Sequence, residues 1–398
     1  MSRASTGIRA APSPARHPAE AAPAWVVPLS DIEVDRELEE AVLGVLRSGW
    51  WSMGPVVEQL ERELAAFCGV AHALAVANGS AALHLALLAV GCGPGDEVVV
   101  PSLSFVAAAN AIVHTGATPV FCDVVGPDDL TTSPDDVEAA LGPATRAIVV
   151  MHYGGYPCAM DRILELARAR GIAVVEDAAH APGARWRGKA CGAIGDVGCF
   201  SFFANKNLPT GEGGMVVTDD DALAERMRLL RSHGMTTLTW DRHRGHAHAY
   251  DVVEHGFNYR LDELRAAIGL VELGRLAAAN NARARVSELY RAALDGTAGL
   301  RVPFVPSPQV VPAHHLAVVL LPEGRERDGF RAALAARGVQ TSVHYPPIHR
   351  FSRYRALGAA RPLPVTDAVA PRLVTLPLYP SLSVERASLV VDAVLAAL

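Results

Sequence analysis

GCFSFFANKNLPTGEGGM, Gly198 to Met215, sets a single lysine, Lys206, between an apolar strand-like run and a glycine-rich turn. A lysine held at the end of a buried strand loses hydration, which lowers its pKa and makes its amine a nucleophile toward carbonyls. On that reading the chain is a Schiff-base enzyme. A solvated loop lysine is the ordinary alternative, because lysines are mostly exposed. The surrounding sequence has to decide between the two.

Upstream of this stretch, HALAVA (72–77), EVVVPS (97–102), TPVFCDV (118–124), RAIVVMHY (146–153) and GIAVVEDA (171–178) are short runs dense in Val, Ile and Ala. Helical stretches separate them. Buried parallel strands read as continuous apolar runs without alternation, so the pattern predicts an α/β fold around a mostly parallel sheet. Two amphipathic helices precede it. Leu38, Val42, Val45 and Leu46 share one face of the first, stopped by Ser48-Gly49; Pro55 opens the second, which buries Val57, Leu60, Leu64 and Phe67 and stops at Gly69. After Met215 the alternation weakens. A helix is expected from about Asp220 to Ser232, and a long one from Leu261 to about Leu294 with Leu264, Ala267, Ile268 and Val271 on one face. Strands HLAVVLL (315–321) and VQTSVHY (339–345) around a helix over 327–337 read as a smaller α+β domain. The expected division is a leader over 1–24, a large domain over 25–275 and a small domain over 276–398.

A chain of 398 residues, half hydrophobic and one fifth charged, has the balance of a large globular protein, and its net charge of −6 calls for neither nucleic acid nor anionic membrane as a partner. Six cysteines (Cys68, Cys92, Cys122, Cys158, Cys191, Cys199) are scattered with no C-x-x-C pair. They read as buried free thiols in a reducing, cytoplasmic compartment. There is no run of about 18 apolar residues to span a membrane. The first two dozen residues, rich in Ala, Pro, Arg and Ser, lack the apolar core of a signal peptide and read as a disordered leader.

In open α/β sheets ligands bind at the C-terminal ends of strands. Three candidate positions fall there. Asn78-Gly79-Ser80 follows the first strand and feeds a helix whose N-terminus is a ready phosphate site, although Ser80 is equally a plain helix cap. Asp177 ends the run GIAVVED, where a carboxylate can hold a heterocyclic nitrogen protonated; helix capping is its alternative. Ser201 and Lys206 make the third. Together a phosphate anchor, a pyridinium partner and a Schiff-base lysine are what pyridoxal 5′-phosphate (PLP) requires.

From about residue 26 onward the chain resembles the DegT/DnrJ/EryC1/StrS sugar aminotransferases, within the fold-type I PLP enzymes. The resemblance rests on SGWWSMGPVVEQLE, NGSAALHLAL, GPGDEVVVPSLSFVAAANAI, GATPVFCDV, VVEDAAHAPGA, CFSFFANKNLPTGEGGM and GFNYRLDELRAAIGLVEL, in that order. It implies that Lys206 carries the Schiff base and that Asp177 faces the pyridinium nitrogen. Phe105 matches the aromatic position stacked on the ring. Ser80 and Ala81 fall where the phosphate-binding backbone lies, and Ser201 matches the serine that contacts the phosphate. His180 takes the place, often Gln in relatives, beside the ring's 3-hydroxyl. Asn258 matches a residue reaching the phosphate from a neighbouring subunit, so a homodimer with composite sites is implied. The implied reaction is ping-pong transamination of a keto sugar or cyclitol ketone, with glutamate or glutamine as donor, in antibiotic-sugar or surface-glycan biosynthesis. Relatives with His at the lysine position are dehydratases; Lys206 argues against that branch. Dehydration or epimerisation on the same fold, and a non-catalytic regulatory homologue, are the rival readings.

Two histidine-containing regions stand apart. His243, His246 and His248 lie among Arg242 and Arg244 without a cysteine or a well-spaced acid, so no metal is expected there; a basic flap over an anionic acceptor and a solvated loop are the readings. HYPPIH (344–349) resembles a block of the family near the mouth of the site, or is a turn set by Pro346-Pro347.

Overall fold

The computed structural model describes residues 25–237, 249–357 and 361–398. The leader over 1–24 and the cluster of His243, His246 and His248 lie outside the described residues.

Seven strands form the main sheet: β1 (His72–Val76), β2 (Glu97–Pro101), β3 (Thr118–Cys122), β4 (Thr145–Met151), β5 (Ala173–Asp177), β6 (Val197–Ser201) and β7 (Gly214–Thr218). Their order across the sheet is β1-β7-β6-β5-β4-β2-β3. All the neighbouring pairs from β6 to β3 are parallel, and β7 alone runs antiparallel, between β6 and β1. The expected mostly parallel sheet is therefore present, but the sequence reading took the start of β7 as part of a turn. GMVVT starts within a glycine-rich run, which hides its first residue in a turn signal, and it pairs with a neighbour on each side. At β6 the packing tolerates no side chain on Gly198, since a Cβ there would come 2.0 Å from the carbonyl oxygen of Gly192.

Helices cover both faces, which is why the strands lack alternation: Val98, Val99 and Val100 are all fully buried. The helix α3 (Gly79–Ala89) is apolar on every side and buried from Ala81 to Leu87, as a helix inside a large core must be. The N-terminal helices α1 (Arg36–Ser48) and α2 (Pro55–Cys68) end at Gly49 and Gly69, both left-handed, as their stop signals required. Two details differ from the sequence reading. On α1 Leu38 and Val45 are buried while Leu46 stays 42% exposed, because α1 rests on the rest of the chain through one narrow edge. Phe67 of α2 is only partly buried.

The long helix α4 (Glu263–Leu294) runs unbroken through residues 275 and 276. Its buried positions in the first half are Glu263, Ala266, Ala267, Gly269, Leu273 and Leu276; Leu264, Ile268 and Val271 are only partly buried, so the apolar face is rotated from the expected one. Glu263 supplies a reason. Its carboxylate, 2% exposed, accepts the backbone amides of Gly54 (2.9 Å), Val56 (3.0 Å) and Val57 (2.9 Å), and so caps α2 from another element. Glu263→Ala leaves three amides without a partner and is expected to destabilise the fold by about 2–4 kcal/mol. Chemical denaturation measures this, and a loss under about 1 kcal/mol would show that water replaces the carboxylate.

Beyond α4, β8 (Ala317–Leu320) and β9 (Leu373–Leu376) pair antiparallel, with helices Arg327–Ala335 and Val384–Leu395 packed beside them. The expected strand over 339–345 is not formed. Val339 bridges Val27 and Ser342 bridges Thr375, so the segment passes from one neighbour to another without a ladder. Val27 thereby packs with the C-terminal elements and not with the large sheet.

Candidate active site

Because six of the seven strands point the same way, their C-terminal ends open onto one edge of the sheet, and a cavity of about 370 Å³ lies there. Its walls are built from the tips of the strands and the first residues beyond them. Asn78, Gly79 and Ser80 come from the end of β1, Phe105 from beyond β2 and Met151 from the tip of β4. Asp177, Ala179 and His180 come from β5, and Ser201, Phe203, Asn205 and Lys206 from the end of β6 and the loop after it. Tyr345 and Glu212 also line it. The structure thus brings Gly79, Ser80, Phe105, Asp177, His180, Ser201 and Lys206 around one space, although four different strands deliver them.

At the start of α3 the cap is Asn78, whose side chain accepts the Ala81 amide at 2.8 Å; Ser80 is helical and does not cap. The Ala81 amide, expected to serve a phosphate, is engaged by that cap. The Ala82 amide makes the first intrahelical bond, to the Asn78 carbonyl at 3.1 Å, so the amides of Gly79 and Ser80 precede the ladder and face an anion site with the helix dipole behind them. A Cβ on Gly79 would lie 2.8 Å from Cβ of Ser201. Glycine there lets β6 press its last serine against the helix start, so that the Ser201 hydroxyl and the helix N-terminus address one point.

Asp177 is nearly fully buried and accepts the Ala179 amide at 3.1 Å, a local turn and not a helix cap. Burial raises its pKa, against the Ala179 amide and the charge of Lys206. Lys206 is lowered to about 8, chiefly by burial and in spite of its attraction to Asp177. Part of its side chain opens onto the cavity, yet a dry setting governs the amine, as the sequence required. His180, 1% exposed, is held well below its usual pKa by burial and then by Lys206 and His344, so its ring is neutral. Behind the site, Glu176 points to the other face of β5 and accepts His152 Nε2 (2.8 Å) and the amides of Gly192, Ile194 and Gly195 (2.8, 2.7 and 2.6 Å), which pins the strand that carries Asp177. Asn258 is exposed, paired through its backbone with Ser232, and does not line this cavity.

Sequence reasoning missed Asn205, Glu212, Tyr345 and Met151 as wall residues; the first two lie in the quoted stretch with Lys206, Tyr345 lies in the HYPPIH block, and Met151 looks like any core strand residue. Among the described residues no group of three or more His, Cys, Asp or Glu is placed to hold a metal ion, and no helix is long and apolar enough to cross a membrane. All six cysteines are buried and free.

The walls can be tested against PLP directly. Its phosphate matches a helix N-terminus flanked by serines, its ring nitrogen a buried carboxylate, its aldehyde a desolvated amine, and its flat face Phe105, which stands 53% exposed at the rim. The group fits. The protein is a PLP-dependent aminotransferase of fold type I. Comparison with known proteins gives the family: the chain belongs to the DegT/DnrJ/EryC1/StrS aminotransferases, matched over residues 33–395. The spore coat polysaccharide biosynthesis protein SpsC of Bacillus subtilis (strain 168) is 41% identical over 368 residues, covering 91% of this chain and 94% of that protein. Among solved structures, the aminotransferase TlmJ of Streptoalloteichus hindustanus superposes with a TM-score of 0.87 at 38% identity, and DesV of S. venezuelae with 0.85 at 40%; each covers 93% of this chain and 98% of its own.

Proposed function

We propose that this enzyme transfers an amino group from glutamate or glutamine to a keto sugar, either a nucleotide-linked keto-deoxysugar or a cyclitol ketone, in the making of an antibiotic sugar or a surface glycan. The observation that carries the reading is one cavity in which Lys206, Asp177, Ser201 and the start of α3 meet at the strand ends. When bound, PLP supplies the electron sink on which amino transfer depends. Lys206 is the catalytic amine that moves a proton at the reacting carbon. With the cofactor bound, Asp177 would be the anion that keeps the ring nitrogen protonated and Phe105 would support the ring; the amides of Gly79 and Ser80 and the Ser201 hydroxyl would hold the phosphate, while the Ala81 amide stays with its Asn78 cap. The similarity to SpsC, a spore coat polysaccharide biosynthesis protein, supports the glycan setting. Loading the pyridoxamine form with a panel of keto-sugar nucleotides and inosose-type cyclitols tests the acceptor: one compound should return the cofactor to its aldehyde form, and a dehydrated product without nitrogen transfer from labelled glutamate would refute transamination.

The working unit of this reading is a cytoplasmic homodimer in which Asn258 serves the partner's phosphate site. The exposed apolar residues Ile32, Val34, Leu46 and Trp51, on and around α1, support an interface there. Residues 25–275 would carry the cofactor and 276–398 form the smaller unit, joined through α4. Mixing Lys206→Ala and Asn258→Ala proteins after co-refolding is expected to give more activity than the two variants do separately, because one intact composite site forms per mixed dimer. Simple addition of the two residual activities would place Asn258 outside the site.

A further inference from the structure

The Lys206 cavity has one wall that the cofactor does not account for. Tyr345 lines it, and its hydroxyl oxygen lies 2.9 Å from Nε2 of His180. The proton positions in this pair are set by a third group. The Gly154 amide, which can only donate, points at Nδ1 of His180 at 3.3 Å. Nδ1 is therefore bare, and the neutral ring carries its proton on Nε2. That N–H donates to the Tyr345 oxygen, so the phenol's own proton is turned away from His180 and is available to a ligand in the cavity. Burial, with Tyr153 and Asp177 nearby, raises the Tyr345 pKa, which keeps the phenol a donor.

The loop bearing Tyr345 is held from several directions. The Ile348 amide donates to the Ser102 carbonyl at 2.9 Å, Ser102 Oγ meets Nδ1 of His349 at 2.7 Å, and Nε2 of His349 lies 3.1 Å from Asp367. Tyr153, fully buried, donates its hydroxyl to the His344 carbonyl. The Tyr345 ring also lies 5.8 Å from that of Phe105, at 52°. A donor so fixed requires no reorganisation when charge develops opposite it.

We propose that Tyr345 is a catalytic residue of the amino transfer, a hydrogen-bond donor to the carbonyl oxygen of the acceptor, with His180 as the positioning residue that holds it. Every aminotransferase has a carbonyl acceptor, so the proposal rests on the family's reaction and not on which sugar is used. The groups that match the phosphate, ring nitrogen and aldehyde of the cofactor all come from strand ends of the main sheet, whereas Tyr345 comes from the C-terminal segment.

The test uses Tyr345→Phe as holoenzyme, with the ketone product of whichever amino donor the wild type accepts as the carbonyl probe. Failure of every donor with the wild type would overturn the transaminase reading itself, separately from the role of Tyr345. The pH titration of the resting absorption spectrum and the cofactor affinity of Tyr345→Phe should match wild type, while kcat toward the ketone falls about 10- to 100-fold with little change in KM. His180→Gln, which keeps an N–H toward Tyr345, should retain more activity than His180→Leu. Ketone turnover within twofold of wild type would overturn the proposal. A shifted spectral titration would also overturn it, by placing the hydroxyl on the cofactor's ring oxygen.

Discussion

Lys206→Ala is expected to abolish amino transfer, lowering turnover by about four orders of magnitude or more, and to leave no protein–cofactor linkage for borohydride to fix. The reason is not general reactivity but place: burial lowers the amine to about 8 while the neighbouring Asp177 pulls the other way. A second measurement isolates this cause. In the cofactor-free enzyme the capture of an aromatic aldehyde by Lys206 should rise with pH through a midpoint near 8, well below the 10.5 of a free lysine. Stability has the corresponding sign. The folded pKa lies below the unfolded one, so between about 8 and 10.5 the unfolded chain binds the extra proton, and the cofactor-free fold gains stability as pH rises through that window. A Lys206→Ala protein with full turnover would remove the lysine from the mechanism. A capture midpoint near 10.5 would remove desolvation as the cause.

The second large effect is expected at Asp177. Asp177→Asn preserves shape and the hydrogen bond to the Ala179 amide, yet deletes the only charge aimed from β5 into the cavity. In the cofactor-free site burial raises the carboxyl's pKa; a cationic ring nitrogen brought against it would favour the ionised form. With a neutral amide that ion pair is lost in a dry site, where it is strong. Turnover should fall about 10²- to 10³-fold, cofactor affinity should weaken, and the absorption spectrum of the bound cofactor should change. Retained turnover with an unaltered spectrum would show that the ring nitrogen does not need the carboxylate. Because Glu176 and His152 hold β5 from the other face, the substitution tests charge with little loss of fold.

The main features of this site were legible because the chemistry is written next to the strand signals. Asp177 and Ser201 are the last residues of apolar runs, and Lys206 and Ser80 come within a few positions of such runs. Other features were not legible, for physical reasons. Nothing in NGSA distinguishes Asn78 from Ser80 as the cap; that depends on which side chain reaches the Ala81 amide. The antiparallel β7 begins inside the glycine-rich run GEGGM, where the glycines read as a turn, and it is pairing with a strand on each side that extends it back to Gly214. The buried face of α4 was misjudged because Glu263, a charged residue, is buried to satisfy amides some 206–209 residues away, a partnership that helical periodicity does not contain. The segment over 339–345 has strand composition, yet two different neighbours each take a single residue of it.

The local order of residues by itself determined the fold class, the parallel sheet and which residues stand at the strand ends, Ser80, Asp177, Ser201 and Lys206 among them, since buried strands, helix starts and the residues just beyond them are contiguous in the chain. Only the tertiary structure decided how these groups face one another: that Gly79 lets Ser201 touch the helix start, that Lys206 loses hydration near Asp177 while still opening onto the cavity, and that Tyr345 reaches His180 across 165 residues. Burial and hydrogen-bond direction are properties of the space between segments, and no single segment carries them.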